Sequence, residues 1–239
     1  FMGFAEVIIN LRTILKNIEL CKKDILSHRP DVLILVDYPG FNLRIAEFAK
    51  KNGLKVFYYI SPQVWAWKQS RVQHIKKFVD KMFVILPFEK EFYKKFDYEV
   101  DFVGHPLLDE LEKRKKTKEP FSDFTSANGL NEKPIVAVLP GSRKQEIEKM
   151  LPVMAKMSAH YPDHQFVAAG VSTQQNEFYA SLIGKQDVKV IFGKTYDLLE
   201  QSTAAIVTSG TATLETALFG VPEVVCYKGG AISYRIAKW

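Results

Sequence analysis

The feature that most constrains this chain is a regular exchange of short apolar runs and longer amphipathic stretches. Asp31-Val-Leu-Ile-Leu-Val36, Lys55-Val-Phe-Tyr-Tyr-Ile60, Lys81-Met-Phe-Val-Ile-Leu86 and Val100-Asp-Phe-Val103 have strand length and polar borders. The first, being continuously apolar, predicts a strand buried on both faces. Between these runs lie segments of helical spacing. Residues 5–28 place Val7, Ile8, Leu11, Ile14, Leu15 and Ile18 on one face, and Pro30 ends them. Residues 43–51 close at Asn52-Gly53, residues 68–79 form a basic amphipathic helix, and another helix starts after Pro87. Residues 109–133 are charged or small, centred on Glu112–Glu119, and read as a domain boundary. The alternation then restarts, with strands at 134–139, 165–169, 188–191, 204–207 and 223–227. Helices at 144–160, 173–184, from 195, and 213–219 separate them. Such alternation requires parallel sheets with right-handed crossovers. The expectation is two Rossmann-like domains, 1–108 and 134–239, with 109–133 as linker and the two sheets facing across a cleft.

Composition narrows the class without naming a function. Hydrophobic residues make up 47% and charged residues 25% of the 239, enough to bury a core, so default disorder is excluded. A net charge of +6 permits an anionic partner but selects none. The Glu112–Glu119 run is interrupted by acidic residues and lacks aromatics, so it reads as a solvated helix end rather than a nucleic-acid arm. Cys21 and Cys226 stand far apart without metal-ligand spacing, which argues against a disulfide framework or zinc site and for a reducing compartment. No apolar run reaches the roughly 18 residues of a spanning helix. The opening Phe1–Ala5 lacks a signal peptide's basic n-region. With no Met at position 1 and an end at Ile236–Trp239 inside a helical pattern, the chain reads as lacking segments at both ends.

Four segments carry chemistry. Leu139-Pro-Gly-Ser-Arg143, followed by Gln145-Glu146, joins a strand to a helix. Gly141 admits close backbone approach, the helix start offers free N–H groups, and Arg143 supplies a forked cation, together a pyrophosphate site. The plainer reading is an ordinary turn with Ser142 as N-cap and Glu146 in the first turn. Thr208-Ser-Gly-Thr-Ala-Thr-Leu-Glu-Thr216 is a second strand-to-helix turn. Ser209, Gly210 and Thr211 form an anion nest, and Glu215, expected in the first helical turn, suits two ribose hydroxyls. Capping alone would also account for it. In Val36-Asp-Tyr-Pro-Gly-Phe-Asn42, Asp37 ends a strand and is either a general base or a turn residue, while Asn42 caps the next helix. In Ser61-Pro-Gln-Val-Trp-Ala-Trp-Lys68, Trp65 and Trp67 either pack the core or line an acceptor pocket. His105, in Gly104-His-Pro106, is a structural hydrogen-bonding group or a neighbour of that pocket. The opening helix and the basic 68–81 segment are either core-and-solvent faces or contacts to an anionic membrane.

Taken in order, Met2-Gly-Phe-Ala-Glu-Val7, Asp37-x-Pro-x-Phe-Asn42, Ser61-Pro-x-Val-Trp-Ala-Trp67, Leu86-Pro-Phe-Glu89, Gly104-His-Pro106, Leu139–Glu146 and Ser209–Glu215 resemble the lipid-A-disaccharide synthase family. The resemblance runs along essentially the whole chain. It implies a GT-B glycosyltransferase that joins UDP-2,3-diacylglucosamine to 2,3-diacylglucosamine 1-phosphate (lipid X), releasing UDP and the lipid A disaccharide. It implies work at the cytoplasmic face of the bacterial inner membrane, no cofactor, no metal, and a possible homodimer. Asp37 carries over as the base for the acceptor 6-hydroxyl. Arg143, Glu146, Ser209, Gly210, Thr211 and Glu215 carry over to the UDP site, with Gly141 and Ser142 beside them. Asn42, Trp65, Trp67 and His105 are the expected acceptor pocket. The family's earlier Gly-Glu-Ala-Ser-Gly-Asp loop has no counterpart here, and the family continues past Trp239. The competing readings are a UDP-sugar 2-epimerase on the same scaffold and a non-enzymatic two-domain ligand-binding protein.

Overall fold

The computed structural model describes residues 11–67, 69–114 and 119–228. The Met2–Val7 motif, the first turns of the opening helix, the Trp67 side chain and the final Ile236–Trp239 stretch lie outside the described residues. The chain divides into two compact units, Phe1–Leu111 and Glu112–Trp239.

The first unit runs α1 (Leu11–His28), β1 (Val32–Val36), α2 (Pro39–Lys51), β2 (Lys55–Tyr59), α3 (Val64–Trp67), α4 (Arg71–Phe78), β3 (Lys81–Val84), α5 (Phe88–Lys94) and β4 (Asp101–Phe102). Helix α6 (Pro106–Arg114) follows and crosses the boundary. The described strands form one parallel sheet in the order β1-β2-β3-β4. Its core gathers Leu35, Ile45, Val56, Tyr58, Ile75, Met82 and Tyr93. Ala46 and Ala49, both without exposed surface, keep the buried face of α2 small.

Strand β1 is not buried on both faces as its sequence predicts. Leu35 is 6% exposed, but Ile34 and Val36 are 62% and 51% exposed. Ile34 and Val36, two residues apart, share one face of β1, and that face is exposed while Leu35 points into the core. An apolar run reports hydrophobicity, and only the topology determines whether a second face is covered.

The second unit holds α7 (Phe121–Ala127), β5 (Ile135–Leu139), α8 (Lys144–Ala155) with a 3-10 turn at Lys156–His160, β6 (Gln165–Gly170), α9 (Asn176–Ile183) and β7 (Val188–Phe192). It continues with α10 (Thr195–Gln201), β8 (Ser202–Thr208), α11 (Thr211–Leu218) and β9 (Glu223–Cys226). All described strands are parallel, in the order β7-β6-β5-β8-β9. Side chains alternate across the central strand: Ile135, Ala137 and Leu139 join one core layer, Val136 and Val138 the other.

Part of the expected linker is core. Phe124 on α7 has no exposed surface and packs with Leu139, Leu198 and Leu199. Its apolar side chain is one position in a stretch of charged and small residues, so composition alone hides it. At the other end of that stretch Arg114 ion-pairs with Asp197 and lies 5.4 Å over the Tyr196 ring. No described helix is long and apolar enough to cross a membrane.

Candidate functional site

The strand order of the second unit places its two glycine-bearing turns together. From β5 the chain steps one way to β6 and β7; β8 returns to the opposite side of β5 and leads away to β9. The loops leaving β5 and β8 therefore part above adjacent strands, with Leu139 in register with Val207. Open parallel sheets bind ligands at such a switch point.

On the β5 side, Gly141 has φ +113°, a region L side chains rarely adopt, and a Cβ there would stand 2.8 Å from Glu146 Oε2. Glycine is thus required twice over. Glu146 folds back on the turn: its Oε2 accepts the Arg143 backbone N–H at 3.4 Å and its Oε1 the Arg143 Nη1 at 2.6 Å. The N-cap of α8 is Arg143, not Ser142 as expected, because the helix starts one residue later, at Lys144. Ser142 stands exposed in the loop. The Arg143–Glu146 pair is half-exposed, at 52% and 32%, and worth at most about 1 kcal/mol. Arginine has five N–H donors, so one carboxylate leaves donors for an anion.

On the β8 side, Ser209, Gly210 and Thr211 are exposed at the start of α11. The Ser209 N–H donates to the Cys226 carbonyl at 2.8 Å, and Thr213 Oγ1 donates to the Gly210 carbonyl at 2.7 Å. Beneath them Thr208 Oγ1 is buried without a hydrogen-bond partner among the described residues. Glu215 lies beyond the first turn of α11, where the sequence reading had placed it, because the helix starts at Thr211. Its Oε1 accepts the Tyr196 hydroxyl at 3.1 Å.

In the first unit three of the described non-glycine residues with positive φ follow strand carboxyl ends; Arg29 and Asp97 lie elsewhere. Asp37 and Tyr38 both have φ +45° and Ile60 has φ +64°. Left-handed backbone at non-glycine residues costs about 1–3 kcal/mol each and clusters at functional sites. Asp37 is held by neighbours. Asn42 Nδ2 donates to the carbonyls of Val36 at 2.9 Å and Asp37 at 2.7 Å. Tyr58 OH donates to the Asp37 carbonyl at 2.6 Å, and the Asp37 N–H donates to the Tyr59 carbonyl at 2.9 Å. Burial, then the nearby Asp37 charge, pushes the Tyr58 phenol well above its usual range, so it stays a donor. No described side chain donates a hydrogen bond to the Asp37 carboxylate, which is exposed.

Asn42 is not the helix cap expected of it: α2 starts at Pro39, placing Asn42 inside the first turn with its amide turned back to the strand end. It also lines a pocket of about 450 Å³ with Ile14, Val36, Tyr38 and Phe41. Trp65 packs edge-on against Phe88, with ring centroids 5.0 Å apart, and its Nε1 is buried without a partner among the described residues. His105 accepts the Leu107 N–H at Nδ1, 3.2 Å away, which fixes a helix end and puts the ring proton on Nε2. Sequence reasoning missed the Tyr58 clamp. Tyr58 sits in an ordinary apolar strand, and nothing in the run distinguishes it from Tyr59.

A family model described as lipid-A-disaccharide synthetase matches residues 1–239. The chain belongs to the lipid-A-disaccharide synthase family. It is 45% identical over 245 residues to a lipid-A-disaccharide synthase of Syntrophus aciditrophicus, covering 99% of this chain and 63% of that protein. It thus spans a little under two thirds of the length of that curated relative. In structure it is similar to a UDP-GlcNAc 2-epimerase of Neisseria meningitidis bound to UDP-GlcNAc, with a TM-score of 0.64, 15% identity, and 94% and 67% of the two chains covered. It is also similar to the glycotransferase of kitacinnamycin, with a TM-score of 0.57, 15% identity, and 95% and 65% covered. These two likenesses concern the fold alone: the α/β type shared by GT-B glycosyltransferases and such epimerases, with parallel sheets.

Proposed function

We propose that the protein is the glycosyltransferase of lipid A biosynthesis that moves 2,3-diacylglucosamine from UDP to the 6-hydroxyl of lipid X. The observation that carries this reading is the meeting of two glycine-bearing strand-to-helix turns at the β5/β8 switch point. There the UDP diphosphate lies against the N-termini of α8 and α11, with Arg143 as cation. Glu215, oriented by Tyr196, takes the ribose hydroxyls. Asp37 accepts the proton of the acceptor hydroxyl as that oxygen attacks the anomeric carbon and the UDP oxygen leaves. Its exposed, hydrogen-bond-free carboxylate suits a base. The pocket beside Asn42, walled by Ile14, Val36 and Phe41, receives apolar parts of the acceptor. Leu11 and Leu15, 45% and 47% exposed on α1, and the basic α4 provide contacts to an anionic membrane surface, peripheral on the inner face of the inner membrane.

The epimerase alternative needs further carboxylates and His as proton shuttles, and the first half offers few besides Asp37 and His105. Of these two, His105 holds a helix end and Asp37 remains open. The test is calorimetry of UDP binding to the full-length protein and its Arg143→Ala variant, with transfer assayed in Asp37→Ala. Weakening of UDP binding at least tenfold in the first, and loss of transfer with UDP binding kept in the second, are the expected results. A full-length protein that binds no UDP overturns the reading.

A further inference from the structure

The charged run that reads as a solvated helix end contains one residue the proposed chemistry does not use. Arg114 closes α6, yet its side chain is only 25% exposed. Two carboxylates of α10 hold its guanidinium: Nη2 donates to Asp197 Oδ1, and Nε lies 3.7 Å from Glu200 Oε1. The same guanidinium stands 5.4 Å over the ring of Tyr196, the residue before Asp197. Arginine suits this double task, because a planar guanidinium stacks on a ring while its forked donors reach carboxylates. Phe219, at the C-cap of α11, also packs on the Tyr196 ring, with centroids 5.4 Å apart. The ring is thus fixed, and its hydroxyl donates to Glu215 Oε1 at 3.1 Å. A glutamate's last torsion is broad, so this bond is what sets the direction of the carboxylate. An ionised Glu215 accepts at both oxygens, and with Oε1 engaged Oε2 is left to accept from a ligand hydroxyl. At the far end of α10 from Tyr196, Gln201 Nε2 donates to the Glu119 carbonyl at 2.6 Å, a second tie to the same charged stretch.

We infer that Arg114 is a positioning residue for recognition of the nucleotide's sugar: it holds the Tyr196 ring, Tyr196 directs the Glu215 carboxylate, and the site thereby tells a ribonucleotide from its deoxy analogue. This rests on the reading that Glu215 meets the ribose of UDP. Arg114 and Tyr196 act through Glu215 and do not touch the nucleotide. Removing the tyrosine hydroxyl frees the carboxylate to rotate. Removing the guanidinium frees the ring that carries the hydroxyl. A lysine in its place keeps the charge but loses both the fork and the stack.

The test is calorimetry of UDP and of 2′,3′-dideoxy-UDP, which lacks both ribose hydroxyls, on the full-length protein and four variants: Tyr196→Phe, Arg114→Ala, Arg114→Lys and Gln201→Ala. The wild type is expected to prefer UDP at least about tenfold. Tyr196→Phe, Arg114→Ala and Arg114→Lys each cut that preference at least about fivefold, by weakening UDP alone. Their affinity for the dideoxy analogue stays within about twofold of wild type. Gln201→Ala loosens the same stretch of chain at the other end of α10 and keeps the preference within about twofold. If Arg114 merely fastens that stretch, Arg114→Ala and Arg114→Lys keep the preference or weaken both ligands equally, and either result overturns the inference. A wild type that binds UDP and the dideoxy analogue equally removes the ribose contact of Glu215, and the inference with it. A wild type that binds neither overturns the UDP reading itself.

Discussion

Replacing Asn42 by Asp keeps the side chain's shape and removes its only donors. In the native protein that amide makes two hydrogen bonds, 2.9 and 2.7 Å long, to the Val36 and Asp37 carbonyls. Each contributes about 1 kcal/mol net, and a carboxylate oxygen facing the same carbonyls repels them. Roughly 2 kcal/mol of restraint therefore disappears, which shifts the local equilibrium away from the clamped conformation about 30-fold at ~1.4 kcal/mol per decade. Asp37, at φ +45°, then keeps only the Tyr58 and Tyr59 bonds and is freer to relax, while the Tyr38 carbonyl still accepts the Phe41 and Asn42 N–H groups. Relaxation returns part of the strain, so the protein as a whole loses no more than about 2 kcal/mol. The expected outcome is kcat lower by ~10–100-fold with UDP affinity unchanged, measured by single-turnover transfer and calorimetry. A folded Asn42→Asp variant with kcat within about threefold of wild type would refute the argument that the clamp holds the base.

Three further outcomes follow from other contacts. Gly141→Ala drives a Cβ to 2.8 Å from Glu146 Oε2 at φ +113°, so Glu146 must leave the turn, and UDP affinity by calorimetry falls at least about tenfold. Asp80 is pulled upward by burial, but its hydrogen bonds to Lys50 and the Val56 N–H outweigh this and leave its carboxyl below the ordinary value. A depressed carboxyl contributes stability above its unfolded pKa of about 3.9, and that stability is lost as pH falls through the lower folded value. Asp80→Asn therefore costs about 0.5–1 kcal/mol in urea unfolding at pH 7, a gap that narrows as the pH falls through the depressed folded value. Phe124→Ala removes a fully buried ring from the second unit's core and lowers its stability by about 3–5 kcal/mol, whereas a linker residue would cost nearly nothing.

The parallel α/β architecture was legible because strand–helix alternation leaves few alternatives. The order of strands was not: nothing in residues 202–208 says that they return beside β5 rather than continue past β7. That one fact brings together two turns, each explicable as a cap. The expected caps Ser142 and Asn42, and the expected first-turn place of Glu215, were off by a residue or more, because a helix start depends on which N–H groups are already engaged. That Asp37 follows an apolar strand was readable from the run before it. Its strained backbone and the Tyr58 hydroxyl that holds it depend on contacts across strands, which residue type does not encode. Phe124 was missed because charge and small residues dominate its neighbourhood.

The return of β8 to β5 also sets an order of events during synthesis. In the first unit every described strand pairs with its neighbour in sequence, so each can dock as soon as it is made, with only short loops to close. In the second unit β5, β6 and β7 assemble the same way, but one edge of β5 stays open for about sixty residues until β8 arrives. The two glycine-bearing turns ride on those two strands. A ribosome-bound chain halted before Thr208 thus carries a nearly complete first unit and an unpaired apolar edge on Ile135–Leu139, the segment most in need of protection from other chains until the last crossover is made.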